Sequence, residues 1–151
     1  MMTRTKGPVP PIILLLAILC QFGLHYWLPV ARLIESPWNN LGFALIVLGL
    51  LTVIGPVISF FRAATTIKPF HDSSALVATG MYRYTRNPMY VGMVIVLLGI
   101  AMRFGDLSPF VMPILFVPVL TARVIKHEER MLEERFGDEY RNFKKSVGRW
   151  L

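Results

Sequence analysis

The stretch Leu41-Gly-Phe-Ala-Leu-Ile-Val-Leu-Gly-Leu-Leu-Thr-Val-Ile-Gly-Pro-Val-Ile-Ser-Phe-Phe61 carries no charged residue from end to end. A bilayer core of about 30 Å needs ~20 helical residues to cross it, so this run reads as a membrane span. Working outward, a first run covers Val9 to Val30, a third Met89 to Phe104 and a fourth Pro109 to Ile125. The last two are short and are expected to borrow flanking residues, tilt, or thin the bilayer locally. Between them, Gly105-Asp106-Leu107-Ser108 allows only an antiparallel hairpin. The expected fold class is all-α: an integral membrane protein of about four transmembrane helices.

Composition agrees. The chain has 151 residues, 54% apolar and 17% charged, with a mean hydropathy of +0.54; soluble domains sit near 45–50% apolar and about 25% charged. Disorder, collagen-like repeats and a secreted disulfide scaffold are excluded. Length suggests a single domain over residues 1–151. Cys20 is the only cysteine; it can close no intrachain disulfide, and in its run of Leu, Ile and Ala it is expected to pack. The opening Met1 to Lys6 resembles the start of a signal peptide, but the apolar run behind it is too long for an h-region, so it is expected to stay as a helix.

Basic residues mark the cytosolic side. Arg4 and Lys6 precede the first span, Arg62, Lys68, Arg83 and Arg86 lie between the second and third, and eight more run from Arg123 to Arg149. Only Arg32 and Arg103 remain for the opposite side. An integral, multi-pass chain with both termini cytosolic satisfies this split. The net charge of +7 then belongs to topology and to membrane lipids with anionic headgroups, and no nucleic-acid partner is expected. No GxxxxGK[ST] loop and no strand-linked GxGxxG occurs, which excludes a soluble nucleotide-binding domain.

Two cytosolic segments are too long for plain connections: about 27 residues between the second and third spans, and 26 after the fourth. Pro69, Gly80 and Pro88 punctuate the first, so no single helix runs through it. Pro88 biases Asn87 towards extended backbone and suits the first turn of the third span. That helix starts at the mouth of the bilayer with free N–H groups and a positive dipole end. Around it, Tyr82, Tyr84 and Tyr90 alternate with Arg83 and Arg86. An interfacial aromatic belt with positive-inside anchors accounts for this pattern; so does a ligand site, since aromatic faces attract organic cations and Arg binds carboxylates.

In the C-terminal segment, a helix through Val124 to Phe136 places Val124, Ile125, Met131 and Leu132 around Glu128. A carboxylate in an apolar stripe costs several kcal/mol unless paired or protonated. Its partner is either a ligand or a structural cation such as Arg83 or Arg86. Glu129, Glu133 and Glu134 read as a solvated face paired with Arg130 and Arg135. Gly92 and Gly99, two turns apart, suit close helix packing. His25 near Tyr26 and Trp27 reads as interfacial and His127 as facing solvent or headgroups; with His71 they share no metal-ligand spacing, and no metal is expected.

Two strings carry a family resemblance: Leu76-Val-Ala-Thr-Gly-Met-Tyr-Arg-Tyr-Thr-Arg-Asn-Pro-Met-Tyr-Val-Gly92 and, beyond the fourth span, Glu128-Glu-Arg-Met-Leu-Glu-Glu-Arg-Phe-Gly-Asp-Glu-Tyr-Arg-Asn-Phe-Lys-Lys-Ser-Val-Gly-Arg149. They resemble the isoprenylcysteine carboxyl methyltransferase and phospholipid methyltransferase superfamily over Lys68 to the end. The resemblance implies an S-adenosylmethionine-dependent methyltransferase whose cytosolic loop and C-terminal helix form the cofactor site, with a lipophilic substrate entering from the bilayer. Carried over by position, the cofactor-binding residues are Ser74, Ala75, Leu76, Val77, Tyr82, Asn87, Pro88, Met89, Tyr90 and Glu128, and the catalytic residues Arg86, Tyr90 and Glu128.

Two positions depart from the family pattern. Asn87 stands where the family often has His; it can hydrogen-bond but cannot act as a base. Val124 stands where the eukaryotic prenylcysteine enzymes carry an arginine resembling a substrate-carboxylate clamp, and Arg123 is rotated from that place by about 100°. An isoprenylcysteine carboxylate, a lipid headgroup, a small thiol and an amine all stay open as acceptors, as does a non-catalytic membrane protein that binds a lipid or partner.

Overall fold

A computed structural model describes residues 9–62 and 80–151. Arg4 and Lys6, and Lys68, Pro69, His71 and Ser74 to Val77 of the long connection, lie outside the described residues. The helices are α1 (Pro10–Trp27), α2 (Leu41–Arg62), α3 (Pro88–Phe104), α4 (Val111–Leu120), α5 (Lys126–Phe136) and α6 (Asp138–Ser146). No strand forms among the described residues; one isolated antiparallel bridge joins Arg32 to Asp106. The protein is an all-α integral membrane protein.

Three helical stretches are long and apolar enough to cross a membrane: Pro10–Trp27, Trp38–Ile58 and Ser108–Phe136. The third of the expected spans is the shorter apolar helix Pro88–Phe104. The fourth span does borrow flanking residues, and its expected end at Ile125 is corrected. A π-helical turn, Thr121–Ile125, joins α4 to α5, and the chain stays helical without a break to Phe136. Nothing between Thr121 and Phe136 stops it, because the residues after Ile125 are mostly Lys, Glu, Arg, Met and Leu, all good helix formers, and the first glycine is Gly137. Pro118, inside α4, brings no N–H to the ladder, and the wide turn begins three residues later.

Punctuation falls where the backbone demands it. Pro10 and Pro88 occupy the first turns of α1 and α3, and Asn87 caps α3 in a non-helical conformation with φ −131°. Gly105 ends α3 in the left-handed region, φ 81°, where a Cβ would collide with the Ile34 carbonyl. This seals the α1–α2 connection onto the α3–α4 turn: the Leu33 N–H donates to the Gly105 carbonyl at 2.8 Å and the Leu107 N–H to the Ala31 carbonyl at 2.8 Å.

The packing is that of a bundle in lipid. Ala17, Tyr90, Met93, Leu97, Phe116, Leu120, Val124 and Ile125 form the core, whereas Leu15, Leu19, Leu51 and Ile114 point outward and are exposed. Cys20, expected to pack, also faces outward, because α1 gives its inner face to Ala17 and Gln21. Gln21 is fully buried, and its amide donates to the Leu97 carbonyl (2.9 Å) and the Pro109 carbonyl (3.1 Å), tying α1 to α3 and the following turn. No signal in the apolar run marked that residue.

The closest contact is antiparallel, between α2 and α3. A Cβ on Gly92 would stand 2.7 Å from the Gly49 carbonyl oxygen and 2.8 Å from the Val53 nitrogen; on Gly99 it would stand 2.8 Å from the Gly42 carbonyl oxygen and the Ile46 nitrogen. The opposing atoms are backbone and cannot swing aside. Gly92 and Gly99 therefore do permit close packing, and Gly42 and Gly49 are their partners on α2. Gly92→Ala and Gly99→Ala should each cost about 1–3 kcal/mol of stability by overpacking. Gly23→Ala, whose Cβ would meet only the Trp27 ring at 3.3 Å, should not. Thermal unfolding in detergent separates the cases, and equal midpoints for all three variants would disprove the backbone contact.

Candidate functional site

Pro88 fixes the start of α3, so Tyr90 sits in its first turn with its ring buried in the core. Glu128 lies in the first turn of α5. The Tyr90 hydroxyl reaches both carboxylate oxygens, at 2.8 and 2.9 Å. No Lys or Arg among the described residues forms an ion pair with Glu128, so neither Arg83 nor Arg86 is the partner; the phenol is. Tyr82, in the 3-10 turn Gly80–Arg83, lies near the same carboxylate: burial, and after it the Glu128 charge, push its phenol up to about 12. Tyr90 thus meets a carboxylate 38 positions away in sequence, and Tyr82 lies near enough to feel its charge. Such a set can hold an organic cation, with the charge on Glu128 and the rings beside it.

The second acidic residue departs from expectation. Glu129 is 7% exposed rather than solvated. Arg149 grips it with two bonds, Nε to Oε1 at 2.8 Å and Nη2 to Oε2 at 2.7 Å, and Arg86 Nη1 stands 3.0 Å from Oε1. The Glu129 carboxylate holds the Arg149 guanidinium above its ordinary range, and burial pushes the Tyr140 phenol up beside it. The physical reason is that α6 and the C-terminal segment fold back over α5 and cover the face that a lone helix would show to water. Glu133 likewise pairs with Lys144 at 2.9 Å and Arg141 at 3.8 Å, not with Arg130.

That C-terminal segment clamps the start of α3. The Gly148 carbonyl accepts from the Arg86 N–H at 2.9 Å, and the Arg149 carbonyl accepts from the Thr85 hydroxyl at 3.2 Å and the Asn87 amide at 2.8 Å. The Trp150 indole N–H donates to the Thr121 hydroxyl, 3.2 Å away, inside the wide turn. Of the expected site residues, Tyr82, Tyr90 and Glu128 converge. Pro88 and Met89 shape the helix start beneath them, Asn87 bonds the C-terminal backbone, and Arg86 has its guanidinium on Glu129. Ser74, Ala75, Leu76 and Val77 lie outside the described residues. Glu129 reads from the sequence as solvated, and Tyr140, Arg149 and Trp150 have no role there; the adjacent Glu-Glu pair, whose members point about 100° apart on a helix, is the available hint that two partners are needed.

Comparison with known proteins places this geometry in context. The family model for phospholipid methyltransferases matches residues 38–139, which include Tyr82, Asn87, Tyr90, Glu128 and Glu129. A protein of Haemophilus influenzae described as uncharacterized is 38% identical over 63 residues, 42% of this chain and 100% of that protein. The protein-S-isoprenylcysteine O-methyltransferase of Schizosaccharomyces pombe is 41% identical over 75 residues, 48% of this chain and 30% of that enzyme. The chain therefore matches less than a third of the length of that second relative.

Breaking a buried ion pair by removing one partner typically costs about 3–5 kcal/mol, whereas a half-exposed pair contributes about 0–1 kcal/mol. Glu129→Ala should thus destabilise the protein strongly and release the C-terminal segment to trypsin at Lys144 and Lys145, while Glu133→Ala leaves both nearly unchanged. Unfolding in detergent and timed digestion measure this; a Glu129→Ala protein as stable and as protected as Glu133→Ala would refute the buried clamp.

Proposed function

Because the chain belongs to the phospholipid methyltransferase family, we propose that it transfers a methyl group from S-adenosylmethionine to a lipophilic acceptor at the cytosolic membrane surface. The observation that carries this reading is the Glu128 carboxylate, held by Tyr90 with Tyr82 near it, and with no cationic side chain paired to it among the described residues. A carboxylate in apolar surroundings calls for a cation, and the described residues supply a phenol. S-adenosylmethionine has an ammonium and a sulfonium, and when bound it supplies the electrophilic methyl. The donor set fits: Glu128 for the ammonium, the Tyr82 and Tyr90 rings for cationic character, and Ser74, Ala75, Leu76, Val77, Asn87, Pro88 and Met89 along the cofactor's edge by family position.

Within this reading each residue has a separate task. Glu128 and Tyr90 touch the cofactor. Tyr90 also holds the carboxylate in one orientation, which reduces the ordering left to binding. Arg86 is a positioning residue: committed to Glu129, it fixes Asn87 and the first turn of α3. Asn87 donates through its amide and keeps its carbonyl as an acceptor. Methyl transfer asks chiefly for in-line alignment in a dry site, which the apolar wall of Met93, Leu120 and Val124 favours. The lipid acceptor reaches this wall laterally, beside the proline-bearing α4 and the short α3.

Glu128→Gln should weaken S-adenosylmethionine binding by roughly 1.5–3 kcal/mol, the size of a charge-assisted hydrogen bond, and Glu133→Gln by little. Calorimetry in detergent decides, and equal losses would remove Glu128 from the site. No measurable cofactor binding by the wild-type protein would leave a non-catalytic lipid-binding protein instead.

Long-chain acceptors should be methylated with much higher kcat/KM than their soluble headgroup analogues, since remote binding energy positions the reacting atom. Radiolabelled methyl transfer measures this. Parity between the two classes would replace the lipid with a small thiol or amine.

A further inference from the structure

Among the described residues, Arg32 and Arg103 are the only Lys or Arg at the end of the bundle away from Tyr90 and Glu128; α3 alone, 17 residues long, separates Tyr90 from Arg103 by about 20 Å. The two come together. A cavity of about 350 Å³ is lined by His25, Arg32, Asn39, Arg103 and Phe104. Cations in this position are disfavoured by topology, so a pair of them in one cavity calls for an anion.

No acid among the described residues fills that role. Of the two carboxylates at this end, Glu35 is exposed and forms no ion pair among the described residues, and Asp106 accepts a hydrogen bond from His25 Nδ1, whose ring is stacked on Phe104 with centroids 4.2 Å apart. Neither arginine forms an ion pair among the described residues. Arg103 lies over the Phe43 ring, 4.9 Å from its centroid, which orients the guanidinium without neutralising it. Asn39 is 6% exposed, its amide nitrogen reaches the Arg103 carbonyl only at 3.4 Å, and its Oδ1 has no partner. A buried unpaired carbonyl costs stability until a donor arrives. The cavity thus offers guanidinium groups to an anion and an acceptor to a neighbouring O–H or N–H.

Its depth is also marked. Tyr26, Trp27 and Trp38 ring this end and are 70%, 87% and 68% exposed, the placement of an aromatic belt at the headgroup level. The walls are held by the backbone bonds between Leu33 and Gly105 and between Leu107 and Ala31, so little ordering is left to a ligand.

We infer that this cavity binds a phosphate group with an adjacent hydrogen-bond donor, carried by a lipid headgroup of the nearer leaflet or by free phosphate, with Arg32 and Arg103 as its cationic partners. The inference is independent of the methyltransferase reading, because it uses no residue of the Tyr90–Glu128 cluster.

The test uses the full chain, purified in detergent and stripped of lipid. Native mass spectrometry counts retained phosphatidylglycerol against uncharged diacylglycerol, and phosphorus NMR follows titration with inorganic phosphate. Arg32 is exposed, so Arg32→Gln should fold, as its unfolding temperature will show; Arg103→Lys keeps a charge but loses the two-pronged donor. Each should lower phosphate-dependent binding about tenfold or more, the size of one charge-assisted hydrogen bond, while Arg141→Gln at the other end leaves it intact. Loss of phosphatidylglycerol in the variants identifies a lipid as the source, and loss of inorganic phosphate binding identifies free phosphate. Wild-type levels of both in Arg32→Gln and Arg103→Lys, or no discrimination between phosphatidylglycerol and diacylglycerol together with no phosphate binding, would overturn the proposal.

Discussion

Everything at the polar end of this molecule hangs on how near α2 and α3 come to each other. In lipid no hydrophobic force draws helices together, so association relies on contact between surfaces that fit. Removing the Cβ at Gly42 and Gly49 on one helix and at Gly92 and Gly99 on the other lets the two backbones touch. α3 is thereby held along its length, and Pro88 sets where it begins. The position of Tyr90 follows, and with it the position of any carboxylate that is to meet Tyr90.

The remaining geometry comes from a polar cap that the chain closes on itself. Glu129 gathers Arg86 from before α3 and Arg149 from the far end of the sequence, and backbone carbonyls of the last residues bind Thr85, Arg86 and Asn87. The two adjacent glutamates therefore divide the labour. One is satisfied by protein cations and builds the cap; the other, among the described residues, meets a tyrosine and no cation.

Much of this was legible in the sequence because bilayer physics writes itself in long runs. The apolar stretches, Pro88 and the Asn87 bend, the glycines on α3 and the importance of Glu128 can each be read locally. What escaped was long-range. Glu129 looks solvated on a helical wheel because a wheel has no knowledge of a chain that returns from Arg149. Gln21 resembles noise in a hydrophobic run until the Leu97 and Pro109 carbonyls are seen beside it. Arg32 and Arg103 are 71 positions apart, and nothing in their neighbours says that they share a cavity.

The wide turn Thr121–Ile125 has a consequence for how the long helix is partitioned. A π-helical turn accommodates one more residue than an α-turn, so side chains after it are offset by about one position, roughly 100°, from where the preceding helix would aim them. The turn works as a phase joint. Upstream, Ile114, Leu115 and Val119 stay turned to lipid; downstream, Glu128 and Glu129 stay turned to Tyr90 and to Arg86 and Arg149. The bilayer therefore constrains the residues of α4 and the polar cap those of α5, although a single uninterrupted rod of backbone carries both.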